Sequence, residues 1–122
     1  MLSVGVDLIE VTRLEQAAAR YGERFYRRCF TPQEQAHCQG DAARLAGRFA
    51  VKEAVAKALG TGIGDFTWTD IEIINDERGK PQLILYNKAK ETADRLGLRR
   101  WAISLSHTAT HAIGFAIATE EW

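Results

Sequence analysis

The sequence predicts an α+β fold: one small domain, residues 1–122, with a mostly antiparallel meandering sheet packed against a long central helix. Three observations lead there. Helical and strand-like segments are mixed without regular β-α-β alternation, which disfavours a parallel sheet. Ala42–Leu59 reads as a helix that is apolar or small on nearly every face, as expected of a helix enclosed by other elements. The 122 residues contain no internal repeat, low-complexity tract or linker, which suits one domain with a modest core.

Taken in order, Leu2–Asp7 reads as a short buried strand that delivers Asp7 at its end. A helix follows from Leu8 or Ile9 to about Tyr21, closing near Gly22, and Glu23–Phe30 continues helically. Thr31-Pro32-Gln33-Glu34 is a fresh helix start, with a hydroxyl cap, proline at the first helical position and an acid in the first turn. Gln39-Gly40-Asp41 breaks the chain before the long helix. Phe66–Asn75 is strand-like, Asp76–Pro81 is a turn, and Gln82–Tyr86 pairs back. Asn87–Leu96 is an amphipathic helix ended by Gly97. Trp101–Ser106 and His111–Ala118 are the last strands. Ala112–Ala118 is apolar on both alternating faces, so burial against further copies of the chain is expected.

Composition narrows the function. Sixteen basic residues balance sixteen acidic ones, which argues against nucleic-acid binding through bulk charge. No apolar run approaches the ~18 residues of a membrane span. Met1-Leu2-Ser3-Val4-Gly5 lacks the basic start of a secretory leader, so a cytoplasmic location is expected. Cys29 and Cys38 lack zinc-site spacing and read as reduced thiols. Arg13, Arg20, Arg24, Arg27 and Arg28 face only Glu15 and Glu23 in their stretch. They form either a solvated helix face or a stripe for an acidic protein partner.

The chemistry points to Arg48–Gly64. On a helical wheel Ala46, Phe49, Ala50, Glu53 and Lys57 fall within about 100° of arc, so a carboxylate and an ammonium share an apolar stripe. Glu followed by Lys at the fourth position is also a favourable surface pair worth ~0.2–0.5 kcal/mol. Gly60 suits a helix C-terminus, and the run to Gly64 would let backbone amides approach a ligand. Asp7 is either a helix N-cap or a metal ligand brought beside Glu53. Two carboxylates completed by water and phosphate oxygens suit magnesium. No phosphate-binding loop of the GxxxxGK[ST] type and no serine-nucleophile elbow occurs.

Gly5-Val6-Asp7-Leu8-Ile9-Glu10, Arg48-Phe49-Ala50-Val51-Lys52-Glu53-Ala54, Lys57-Ala58-Leu59-Gly60-Thr61-Gly62-Ile63, Gly79-Lys80-Pro81 and Ser104-Leu105-Ser106-His107 together resemble the holo-[acyl-carrier-protein] synthases. These are small 4′-phosphopantetheinyl transferases, and the blocks follow family order from the first residues to the last strand. The resemblance implies the phosphopantetheinyl transferase fold. It also implies transfer of 4′-phosphopantetheine from coenzyme A to a serine of apo acyl carrier protein, releasing adenosine 3′,5′-bisphosphate. It implies magnesium held by Asp7 and Glu53, with Lys57 near the pyrophosphate. Catalysis would fall to Glu53 and Lys57. Arg48, Gly62, Lys80, Pro81, His107 and Thr108 would line the coenzyme A site. Arg13 and Arg20 would dock the carrier protein, and the assembly would be a homotrimer with sites between protomers. Arg24, Arg27 and Arg28 receive no role. Two other readings stand beside it: a non-catalytic coenzyme A-binding module with a structural Glu53–Lys57 pair, and an interaction subunit that uses the arginine helix alone.

Overall fold

A computed structural model describes residues 1–61 and 64–120. The chain runs β1 (Leu2–Glu10), α1 (Val11–Tyr21), α2 (Glu23–Cys29), α3 (Pro32–Cys38), α4 (Ala42–Leu59), β2 (Ile71–Asn75), β3 (Pro81–Leu85), α5 (Asn87–Leu96), β4 (Arg100–His107) and β5 (His111–Thr119). A single 3-10 turn at Trp68–Asp70 precedes β2. β5 lies between β1 and β4, and β2 pairs with β3 in a separate hairpin; every pairing is antiparallel.

Local signals set α3 and α4. Thr31 accepts from the Glu34 backbone amide while Glu34 accepts from that of Thr31, a reciprocal cap behind Pro32. Asp41 caps α4 through the Arg44 amide, and Gly60 closes it in the left-handed region.

Several expected boundaries move. The opening strand continues past Asp7 to Glu10, and α1 starts only at Val11. The reason is tertiary: β1 pairs with β5 along its whole length, through Glu10 opposite His111. Asp7 therefore sits inside the strand, opposite Gly114, and is not a helix cap. Phe66–Asn75 is not one strand either. The Thr67 and Asp70 side chains cap each other's backbone and curl Trp68–Asp70 into the 3-10 turn. The return strand starts one residue early, at Pro81, where the missing N–H is tolerated at a strand end.

α4 crosses one face of the three-stranded sheet at very short range. Ala112, Ala116 and Ala118 of β5 are all buried there. A Cβ on Gly5 would collide with the Ala54 carbonyl, and one on Gly114 with the backbone of Ala50 and Val51. Only glycine permits that approach. Around the C-terminal half of α4, Val51, Val55 and Leu59 pack with Ile71, Ile73 and Leu98. Around its N-terminal half, Leu45 and Ala46 pack with Val11, Leu14 and Phe30. Each fully buried large side chain contributes about 1.5–3 kcal/mol. Cys29 and Cys38 are buried and unpaired.

An ion pair ties these layers together. Lys52 and Glu34 are both fully buried and meet at 2.7 Å. Lys52 Nζ also donates to the carbonyls of Ile71 (2.6 Å) and Trp68 (3.0 Å), so all three ammonium protons have acceptors. The other Glu34 oxygen accepts from the Ile73 amide at 2.9 Å. Burial pushes the Lys52 ammonium below its ordinary pKa, and Glu34 opposes that shift. Lys52→Met should lower unfolding free energy by about 3–5 kcal/mol, because it strands a buried carboxylate. The double variant Lys52→Met/Glu34→Leu should lose less than the two single losses summed. Urea titration of the three variants checks both.

Candidate active site

β1 and α4 place three of the expected residues together. Asp7 is on the face of β1 that meets α4, two residues beyond Gly5. Glu53 and Lys57 lie one above the other on α4. Lys57 makes its ion pair with Asp7, at 3.2 Å, and also donates to the Val6 carbonyl at 2.9 Å. The surface i, i+4 pair is thus replaced by a link from helix to sheet. Glu53 is partly buried, and its carboxyl is pushed above the usual range: by burial first, then by the charge of Asp7, with Lys57 opposing. Two carboxylates that feel each other this way form a hard-oxygen donor pair suited to a divalent cation. Among the described residues no cluster of three or more His, Cys, Asp or Glu side chains gathers at one point. A cation here would therefore take its remaining ligands from water or substrate.

The two acids open into a cavity of about 440 Å³ whose wall includes Arg13, Phe25, Phe49 and His111. Arg13 comes from α1, so the arginine helix reaches the edge of the acidic site. Phe25 and Phe49 also line a neighbouring cavity of about 640 Å³, rimmed by Arg24, Arg27 and Arg28. The Phe49 ring stacks on Trp68 with centroids 4.6 Å apart. Arg20 lies over the Tyr21 ring, 5.3 Å from its centroid.

The other expected residues lie elsewhere on the protomer. Arg48 is five positions before Glu53, hence about 140° around the helix. It is buried, and it donates to Asn75 Oδ1 at 3.2 Å. Asn75 pairs with Pro81, so Arg48, Lys80 and Pro81 gather at the β2–β3 turn. His107 and Thr108 stand at the β4–β5 turn, where the Thr108 amide donates to the His111 carbonyl at 2.8 Å. Gly62 lies outside the described residues. The sequence reading passed over His111 and Lys52, among others. His111 reaches the cavity because β1 pairs with β5 in the register that sets it opposite Glu10. Lys52 forms the core ion pair; its only sequence signal is a lysine among the apolar and small residues Ala50, Val51, Ala54, Val55 and Ala56.

Comparison with known proteins agrees with the blocks and the fold. The family model described as the 4′-phosphopantetheinyl transferase superfamily matches residues 3–116. A holo-[acyl-carrier-protein] synthase of Herpetosiphon aurantiacus is 46% identical, covering 96% of this chain and 98% of its own. The crystal structure of the Helicobacter pylori holo-[acyl-carrier-protein] synthase in complex with coenzyme A superposes with a TM-score of 0.87 at 32% identity, covering 95% of this chain and 99% of its own. That of Bacillus anthracis, in complex with coenzyme A (3′,5′-ADP), gives 0.77 at 34% identity over 95% and 94%. The chain belongs to the 4′-phosphopantetheinyl transferase superfamily.

The raised Glu53 pKa has a thermodynamic consequence. A carboxyl whose folded pKa exceeds its unfolded value stabilises the fold fully below the unfolded value, about 4.3, and loses that contribution as pH rises through the folded one. Without divalent cations, Glu53→Gln should therefore melt above the parent protein at pH 7. The gap should close as pH falls toward the ordinary glutamate range. Thermal scans across that range check the sign.

Proposed function

From that membership we propose that the chain transfers 4′-phosphopantetheine from coenzyme A to a serine hydroxyl of apo acyl carrier protein, the priming step of carrier-protein-dependent fatty acid synthesis. The observation that carries the reading is the convergence of Asp7, Glu53 and Arg13 on one cavity, with Lys57 held against Asp7. The reading includes magnesium dependence, a cytoplasmic location and a trimeric assembly. Among the described residues no helix is long and apolar enough to cross a membrane.

Asp7 and Glu53 would hold the magnesium ion, which when bound supplies positive charge at the diphosphate of coenzyme A. The serine oxygen attacks the phosphorus that carries pantetheine. The bond from that phosphorus to the oxygen on the adenosine side breaks, and adenosine 3′,5′-bisphosphate leaves. Glu53 accepts the serine proton, directly or through one water. Lys57, one turn further along α4, neutralises the growing negative charge on the leaving oxygen. Phe25 and Phe49 give the cavity an apolar wall. Arg13 at the rim, with Arg20 further along α1, supplies positive charge for an acidic carrier helix.

A trimer is supported by what the isolated protomer leaves uncovered. The sheet face turned away from α4 carries Leu2, Val4, Val6, Leu8, Ile113 and Phe115, each between 41% and 66% exposed. They lie side by side across β1 and β5, Val6 opposite Phe115 and Leu8 opposite Ile113. A continuous apolar face of this kind marks an association surface. The separation of Arg48, Lys80 and Pro81 from the acidic cavity also fits a coenzyme A site completed by a neighbouring copy.

Incubation with apo carrier protein, coenzyme A and magnesium should add one phosphopantetheine group to the carrier by mass spectrometry. Glu53→Gln should slow transfer by at least about 10²-fold with the fold intact. Coenzyme A binding without any mass gain would point instead to a non-catalytic binding module. Arg13→Glu should raise the carrier-protein KM about tenfold and leave the coenzyme A KM little changed. Equal rises in both would remove α1 from the docking surface.

A further inference from the structure

Arg48 is only 4% exposed, and among the described residues it has no ion-pair partner. Its Nε is buried without a hydrogen-bond acceptor. A buried guanidinium with no counter-charge is costly unless an anion joins it. Among the described residues, the hydrogen bond that orients it runs to Asn75 Oδ1 at 3.2 Å. On the far side of the amide, Asn75 Nδ2 lies 2.9 Å from His37 Nε2, on α3.

The proton inventory of this chain of contacts has one solution. Arg48 only donates, so the amide oxygen of Asn75 must face it. The amide NH₂ must then face His37, so Nε2 of His37 must accept. Asn75 is itself anchored: it closes β2 opposite Pro81, next to a turn in which Asp76 Oδ1 accepts from the amides of Arg78 (2.8 Å) and Lys80 (2.9 Å). One amide thus sets where the Arg48 guanidinium stands relative to the Lys80 turn, without neutralising it.

We propose that Asn75 is a positioning residue for Arg48, held in orientation by its contact with His37, and that the pair presents an uncompensated guanidinium to an anionic group of coenzyme A. This rests on coenzyme A being the donor substrate. Asparagine is the fitting residue at this position because a carboxylate there would pair with Arg48 and repel the incoming anion, while an apolar residue would leave the guanidinium undirected.

Steady-state kinetics of the full chain with coenzyme A and apo carrier protein test it. Asn75→Ala should raise the coenzyme A KM about tenfold, with kcat and the carrier KM within about twofold of the parent. Asn75→Asp, nearly the same shape, should raise the coenzyme A KM at least as much; a purely structural role in the hairpin would leave it at the parent value. His37→Ala should raise it about threefold, and His37→Gln, whose amide oxygen can accept from Asn75, should restore it. A parent-like KM in Asn75→Asp, or a His37→Gln variant no better than His37→Ala, overturns the proposal. Equilibrium binding of coenzyme A to the same variants should give the same order even if no transfer occurs, which separates failure of this inference from failure of the transferase reading.

Discussion

The site depends on how closely α4 lies on the sheet. Gly5 and Gly114, with the buried alanines of β5, bring the helix backbone into contact with the strand backbone. That contact carries the Asp7 carboxylate, two residues along β1 from Gly5, to the stripe where Glu53 emerges. It also lets Lys57 reach across to Asp7 and the Val6 carbonyl. A helix standing one methyl layer further out would keep the same residues but separate their charges. The energy to hold two partly buried carboxylates together comes from elsewhere, through the hydrophobic clusters at either end of α4 and the Lys52–Glu34 pair that locks its rotation against β2.

The two lysines of α4 show how environment divides similar groups into different tasks. Lys52 is fully buried, with every proton satisfied, and serves cohesion. Lys57 is half exposed and bonded to groups at the cavity's edge, which suits the phosphate-facing role proposed for it. Glu34 and Glu53 divide in the same way. Burial of Glu34 is matched by an ammonium and two backbone amides. Glu53 meets burial and a second carboxylate, and its affinity for protons rises.

What could be read from the sequence follows the range of the forces involved. The cap at Thr31, the bounds of α4 and its stop at Gly60 are set by contacts within a few residues, and they were legible. The end of β1 was not, because its length is fixed by pairing with a strand more than a hundred residues later. Trp68 looked like a strand residue by composition, yet side-chain capping by Thr67 and Asp70 overrides that preference. Glu53 and Lys57 stood out as charges on an apolar stripe. That Lys57 would choose Asp7 as its partner, or that Lys52 would pair with Glu34, needed the tertiary fold. Arg48, Lys80 and Pro81 were marked by resemblance alone; Asn75, the residue that joins them, carried no sequence signal.

The central claim is that Asp7 and Glu53 act on one shared divalent cation. The most direct measurement is calorimetric titration of coenzyme A into the parent, Asp7→Asn, Glu53→Gln and the double variant, each with and without magnesium. A shared ion requires that either single change abolish most of the magnesium-dependent gain in affinity and that the double change remove little more. Independent, additive losses, or a single variant that keeps the full magnesium effect, would contradict it.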